Sequence, residues 1–172
     1  DGWRVSLTTL MNERQSIGGG MPARGSGTIA ALTDAWNNVP ADAKTPTARD
    51  EVTKLWCEAE VLRLTNVRAN QNRKMGDPGP EGSIGKLAAS HVARAANRVH
   101  TMIAGANAML TGSDSWMDGT IAEILVSTPA ISIAGGTDEI QRNIISERVL
   151  KMPKEMRTDT DRPFRDVPRN QV

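Results

Sequence analysis

Apolar residues recur along this chain at helical spacing, and no stretch alternates in the manner of a β-strand. The clearest pattern lies between residues 84 and 109, where an apolar residue returns every three or four positions. Its members are Ile84, Ala88, Val92, Ala95, Val99, Met102, Ala106 and Met109. This spacing predicts one long helix with a narrow apolar seam, ending near Gly112.

Weaker patterns predict further helices around it. They cover residues 3 to 17, 28 to 37, about 47 to 76, about 115 to 128, and about 138 to 151. Thr47, with Asp50 three residues on, resembles a capping box at the start of the third helix. Ser115 is predicted to cap the short helix, which should stop before Pro129. Thr137 is the predicted N-cap of the last helix.

Several long helices with short connections predict an all-α fold, an up-and-down helical bundle. The bundle is expected to cover residues 1 to 152. The segment from 153 to 172 is charged, contains proline and has no periodicity, so it is expected to form an extended tail.

Composition narrows the possible classes of function. The chain has 172 residues, 38% of them hydrophobic, which is enough for one domain with a core. A net charge of +1 gives no reason to expect a nucleic-acid partner. No apolar run is long enough for a membrane span. A single cysteine, Cys57, excludes an internal disulfide and favours a reducing compartment, so we expect a cytoplasmic protein. The chain begins at Asp1 rather than Met, so a fragment or a processed product is expected.

Most reactive side chains have unremarkable settings in the sequence. His91 and His100 lie nine residues apart on one predicted helix, which is not a metal-ligand spacing, so both are expected to be structural. Cys57 falls inside a predicted helix with no histidine nearby, which indicates a packed thiol. The tryptophans and methionines are expected to belong mainly to the core.

Two places leave a functional interpretation open. In "LMNERQSIGGG", Glu13 and Arg14 are adjacent, either as a solvated charged pair or as part of a site. The second place is the turn Gly135-Gly136-Thr137 before the last helix. It is either a well-capped helix entry or a turn whose free backbone N–H groups face a polar ligand, with glycine permitting close approach.

Three segments resemble a known family. "GGTDEIQRNIISERVL", residues 135–150, closely resembles the G-T-x-E-I-Q-R signature near the end of acyl-CoA dehydrogenases. "DGWRVSLTTLMNER" resembles the entry to that family's C-terminal helical domain, and "GPEGSIGKLAAS" resembles the start of its long middle helix. The matches keep the family's order, so the chain resembles that C-terminal domain. The family's N-terminal helical domain and middle β-domain lie outside this sequence, which by itself is expected to be inactive.

The resemblance implies a flavoenzyme of fatty-acid or lipid metabolism. A carboxylate would remove the α-proton of an acyl-CoA thioester, the β-hydrogen would leave as hydride to FAD, and electron-transfer flavoprotein is the expected electron acceptor. By position in the family, the residues expected to contact FAD are Thr137, Asp138 and Glu139. Ala134 and Gly135 are expected to border the substrate.

The resemblance also selects a candidate base. Many members carry the catalytic glutamate directly before the G-T pair, where this chain has Gly135. Others place it on the first helix of the domain in an L-x-x-E-R pattern, which "LMNER" fits. Glu13 is therefore the expected base, and Arg14 matches the family arginine near the thioester and CoA. If so, Glu13 must lie beside the turn at 134–137 in the folded chain.

Two family features are missing. The R-x-x-F-G segment, which reaches the flavin of a neighbouring subunit, has no counterpart in "DAWNNVPADAKTP". The Q-x-x-G-G flavin contact survives only as "MIAGA", with Met102 in place of glutamine. A homotetramer and a heterotetramer both remain possible. The chain could also be a non-catalytic partner that completes the flavin site of a second acyl-CoA dehydrogenase chain, or a helical interaction module without a flavin.

Overall fold

The structure, a computed structural model, describes residues 2–18, 23–75, 81–115, 117–156 and 163–167. These residues contain six α-helices and no β-strand, so the predicted all-α bundle is confirmed. The helices are α1 (Gly2–Gly18), α2 (Thr28–Asn38), α3 (Pro46–Lys74), α4 (Glu81–Ala104), α5 (Thr120–Ile131) and α6 (Asp138–Ile144). Short 3-10 turns follow α2 and α4, and α6 continues as one π-helical turn, Ile145–Val149. No helix among these residues is long and apolar enough to cross a membrane.

Helix α4 is the centre of the bundle, since α1, α2, α3, α5 and α6 all contact it. Its buried apolar face consists of Val92, Ala96, Val99 and Ile103. Val92 and Val99 were in the predicted seam, but the seam beyond Val99 is wrong. Met102 is 40% exposed, and Ala106 and Met109 are also exposed. The four-three-four spacing of the buried residues turns Met102 outward. The α-helix also ends at Ala104, before a left-handed Gly105, so the periodicity no longer applies beyond it.

Two helix ends differ from the prediction because of proline. Helix α3 is capped by Thr45, whose hydroxyl accepts a hydrogen bond from the Ala48 N–H at 3.1 Å. Thr47 is already inside the helix, because Pro46 suits the first helical position, where its missing N–H is not needed. Helix α5 runs through Pro129 instead of stopping before it. Proline keeps a helical φ there, and the backbone hydrogen bond that it removes, with the crowding of the carbonyl four residues earlier, affects only the last turn of the helix.

The start of α5 also differs from the prediction. Gly119, in the left-handed region with φ 85°, precedes the helix, and Ser115 does not cap it. A Cβ on Gly119 would lie 3.1 Å from the backbone of Thr111, so this close approach favours glycine. The buried Ser115 instead accepts a hydrogen bond from the Met117 N–H within the preceding turn, at 3.4 Å.

Several side chains expected inside lie on the surface. Trp3 on α1 is 75% exposed. Three methionines are exposed to at least the same degree, namely Met75, Met109 and Met156. Cys57 is exposed as well, on the wall of an open apolar groove between α3 and α4. The predictions of a packed thiol and of mainly buried methionines are therefore wrong. A helical period identifies one apolar face, but it does not show whether a neighbouring element covers that face.

His100 is a buried base without a partner. It is 1% exposed, and neither ring nitrogen has a hydrogen-bond partner among the described residues. Burial lowers the pKa of its imidazole below the ordinary value, because a charge there would lose its hydration. The unfolded chain therefore takes up a proton more readily than the folded chain does. The free energy of unfolding should accordingly fall as the pH drops through about 6.5.

This pH dependence can be measured by urea unfolding between about pH 7.5 and about pH 5.5. His100→Leu fills a similar volume and should remove much of the decrease. The exposed His91 lies on the same helix, and His91→Gln is the matched control that should keep it. Equal pH dependence in the wild type and His100→Leu would contradict the assignment.

Candidate active site

The two segments singled out in the sequence meet in the fold. Glu13 lies on α1, and its Oε1 accepts a hydrogen bond from the backbone N–H of Gly135 at 3.0 Å. The two residues are 122 positions apart in the chain. This contact confirms that Glu13 lies beside the turn at 134–137. The side chain of Arg14, the other candidate on this helix, lies outside the described residues.

The turn before α6 depends on glycine. Gly135 has φ 70° and Gly136 has φ 94°, both in the left-handed region that side chains disfavour. Gln141, which is 0% exposed, holds this turn from inside the fold. Its Nε2 donates to the carbonyl oxygens of Gly135 at 3.0 Å and Gly136 at 3.2 Å. Gln141 thus fixes the turn through its two carbonyl groups, while the Gly135 N–H donates to Glu13. The sequence interpretation missed Gln141, although a polar residue within an apolar helical stripe could have indicated it.

Helix α6 begins as predicted. The Thr137 hydroxyl accepts a hydrogen bond from the Ile140 N–H at 3.3 Å, which confirms Thr137 as the N-cap. Glu139 is exposed in the first turn, 3.3 Å from Arg142. Its own backbone N–H and the Thr137 hydroxyl lower the pKa of its carboxyl group. Ala134 is half-buried and ends the preceding turn, where its N–H donates to the Ala130 carbonyl.

Asp138 has a different setting from its neighbours, because its carboxylate points inward to α4. The residue is 4% exposed, and Lys86 Nζ donates to Oδ1 at 3.0 Å. Ser90 Oγ at 2.8 Å and Arg94 Nη1 at 2.7 Å donate to Oδ2. Burial by itself would raise the pKa of this carboxyl, but the bonds from Arg94, Lys86 and Ser90 outweigh it and hold the pKa well below its usual range. Any contact between Asp138 and FAD would therefore have to come from its backbone.

The α4 side chains around Asp138 were not identified from the sequence. Lys86, Ser90 and Arg94 are spaced four residues apart, which places them on one face of a helix. That regular polar row was the available signal. It was missed because a lysine in a helical pattern is normally read as solvated, whereas Lys86 is 1% exposed. The described residues contain no cluster of histidine, cysteine or acidic side chains suited to a metal ion.

Comparison with known proteins identifies the family of this chain. Residues 1–150 match the family model described as acyl-CoA dehydrogenase, C-terminal domain. Acyl-CoA dehydrogenase IpdE1 of Mycobacterium tuberculosis is 28% identical over 158 residues, covering 90% of this chain and 39% of that protein. Acyl-CoA dehydrogenase FadE29 of the same organism is 28% identical over 167 residues, covering 90% of this chain and 40% of that protein. The chain thus spans about two fifths of the length of these relatives.

Solved structures share the fold. The Tcur3481-Tcur3483 steroid ACAD superimposes with a TM-score of 0.76 at 21% identity, covering 90% of this chain and 40% of that chain. The ChsE4-ChsE5 complex from Mycobacterium tuberculosis gives a TM-score of 0.70 at 21% identity, covering 90% of this chain and 41% of that chain. At this identity the likeness establishes the helical architecture.

Proposed function

The chain belongs to the acyl-CoA dehydrogenase family, as its C-terminal helical domain, and from this we propose that it takes part in FAD-dependent α,β-dehydrogenation of an acyl-CoA thioester. Glu13 is the proposed base that removes the α-proton. The observation that carries the proposal is the 3.0 Å hydrogen bond between Glu13 Oε1 and the Gly135 N–H. Glu13 is exposed on α1, and this bond holds its carboxylate against the turn that carries the family signature, 122 residues away.

The contact leaves the other oxygen of Glu13 available for chemistry. Within the described residues, Oε2 has no hydrogen-bond partner, so it can face the α-carbon of a substrate. When the Cα–H bond breaks, the proton goes to this oxygen. The electron pair of that bond forms the new Cα–Cβ double bond as the β-hydrogen leaves as hydride. FAD, when bound, supplies the acceptor for that hydride. Because Gly135 has no side chain, it leaves room beside the carboxylate for the acyl group.

The turn has the groups needed to hold a flavin. In the described part of the chain, the N–H groups of Gly136 and Thr137 donate to no protein acceptor, so both remain available to a polar ring. Thr137 is half-buried and Glu139 exposed, so both can reach a ligand above the turn. We assign the FAD contacts to Thr137, Glu139 and the backbone carbonyl of Asp138, since the Asp138 N–H donates to Ser132. Ala134 and Gly135 would border the acyl chain, and Arg14 would lie near the thioester and CoA.

An assembly with an unlike subunit accounts for two further features. The family motif that reaches a neighbour's flavin is missing here. Helix α1, which carries Glu13, has four apolar side chains that the described chain covers only in part, namely Trp3, Val5, Leu7 and Leu10. We propose a heterotetramer in which this chain supplies the base, with electron-transfer flavoprotein as acceptor. The alternative of a non-catalytic partner is disfavoured by the position of Glu13.

Anaerobic addition of acyl-CoA to the purified flavin-loaded assembly tests the proposal. We expect the flavin absorbance to bleach with acyl-CoA and to persist with free CoA, because only the thioester has an α-proton made acidic by a carbonyl. The enzyme should be prepared from this protein alone and after co-expression with the product of its genomic neighbour. An assembly that holds FAD and binds acyl-CoA thioesters of short, long and polycyclic type without any bleaching would contradict the proposed reaction.

A further inference from the structure

We propose that Lys86, Ser90 and Arg94 are positioning residues for proton abstraction, which act through Asp138 to fix the Gly135 N–H against Glu13. This inference rests on the proposed function of Glu13. It assigns a role to this polar cluster behind the turn, in which Lys86 and Ser90 are buried and Arg94 is half-exposed.

The cluster holds both ends of the turn. At its far end, Asp138 accepts hydrogen bonds from all three α4 side chains. At its near end, Ser132 Oγ lies 2.8 Å from Ser90 Oγ and 2.6 Å from Arg94 Nη1. The Asp138 N–H also donates to the Ser132 carbonyl at 3.1 Å, which closes the loop between them. The two glycines therefore lie on a short loop whose ends are both tied to one face of α4.

Helix α4 supports the base as well as the turn. Helix α1, which carries Glu13, packs mainly against α4, and α6 packs against α4 at its own start. The 3.0 Å bond between Glu13 and Gly135 thus joins two elements that are each aligned by the same helix. A displacement of the turn along α4 moves the Gly135 N–H away from Glu13 and changes where the carboxylate points. Misplacement of a catalytic group by about 1 Å can cost about a hundredfold in rate.

The buried charges of the cluster favour a single position of the turn. Lys86 is 1% exposed and Asp138 4%, so their charges are removed from water and depend on each other. Breaking one partner of such a pair leaves a buried charge uncompensated, so alternative positions of the turn are disfavoured. Gln141 adds to this on the other side, because its amide holds the carbonyls of both glycines. The turn is therefore held on two sides while its outer N–H groups stay available.

Single-turnover flavin reduction in the holoenzyme separates positioning from simple stability. Asp138→Asn keeps the volume but removes the charge. We expect it to slow reduction by about ten- to a hundredfold while the Kd for acyl-CoA stays within about twofold. The kinetic isotope effect with α-deuterated substrate should increase, because proton abstraction becomes more rate-limiting. A smaller fraction of folded enzyme would not change that isotope effect. The matched control is Glu51→Gln, which removes the ion pair between Glu51 on α3 and Arg98 on α4. This variant should leave the rate unchanged.

If Asp138→Asn does not fold, variants of the half-exposed Arg94 test the positioning role instead. Arg94→Gln should slow reduction and raise the isotope effect, whereas Arg94→Lys retains the charge and should restore part of the rate. Wild-type rates and isotope effects in Arg94→Gln and in any folded Asp138→Asn, whatever their melting temperatures, would overturn the inference. Glu13→Gln measured in the same series keeps the two ideas apart. A normal rate there overturns the proposed function, whereas a slow Glu13→Gln beside normal Asp138 and Arg94 variants overturns only the positioning role.

Discussion

Replacing Glu13 by glutamine should lower turnover by about two to four orders of magnitude while FAD and acyl-CoA remain bound. The amide has the same shape as the carboxylate, and its oxygen can still accept the hydrogen bond from the Gly135 N–H that Glu13 accepts at 3.0 Å. It cannot take the α-proton, because a neutral amide is too weak a base. Stopped-flow reduction of the flavin by acyl-CoA measures the affected step directly, and flavin absorbance after gel filtration reports that the cofactor is retained.

Two further variants sharpen this test. Glu13→Asp keeps the charge but draws the carboxylate back by one methylene, so its rate should fall between those of the wild type and the glutamine variant. Glu58→Gln makes the same chemical change at an exposed site on α3 and should have the wild-type rate. Near-normal turnover in Glu13→Gln would remove Glu13 from the mechanism. The chain would then be better explained as a non-catalytic partner of a second acyl-CoA dehydrogenase chain.

The second large effect concerns stability. Val99 is 0% exposed and packs with Leu32 and Leu55, so Val99→Asp places a carboxylate in the core with no cation or hydrogen-bond donor provided for it. We expect a loss of about 3 to 5 kcal/mol in the free energy of unfolding. Met102 lies three residues away on the same helix but is 40% exposed, and Met102→Asp should change that free energy by less than about 1 kcal/mol.

Urea denaturation followed by circular dichroism compares the two substitutions under the same conditions. The pair tests the rotation of α4 about its axis, because the sequence pattern alone placed both residues in one buried seam. A similar loss in both variants would mean that Met102 is buried and that the helix face has been assigned incorrectly. A small effect of Val99→Asp would mean that this part of α4 does not face the core.

Helix positions could be predicted closely where a sequence signal has a local cause. Thr137 was identified as an N-cap because a threonine before an acidic turn satisfies free N–H groups within the same few residues. The α2 helix was predicted within one residue of its end. Thr45 and Thr47 flank the same proline, so the choice between them depended on Pro46 occupying the first helical position. Which face of α4 is buried depended on neighbours far away in the chain, and periodicity cannot supply those.

The candidate site divides in the same way. Glu13 and the glycine turn could be connected in advance because two separate motifs resembled parts of one family's site, and the fold brings them within hydrogen-bond distance. The polar cluster behind the turn could not be predicted from the sequence. Lys86 is buried because Asp138, 52 residues later, provides a carboxylate for it, and nothing near Lys86 in the sequence indicates that partner. Gln141 was missed for a related reason, because the two carbonyls that it binds are exposed by glycines in left-handed conformations.

The separation of 122 residues between Glu13 and Gly135 also has a consequence for how the site comes into being during synthesis. Glu13 leaves the ribosome before its partner, which is made only after α2 to α5 have emerged. Chain closure over such a length costs entropy that one hydrogen bond cannot offset. The association of α1 and α6 with α4 must therefore come first, and the contact between base and turn forms as a late event of folding. A nascent chain that has folded most of its bundle thus still lacks the complete site until its last helix has docked.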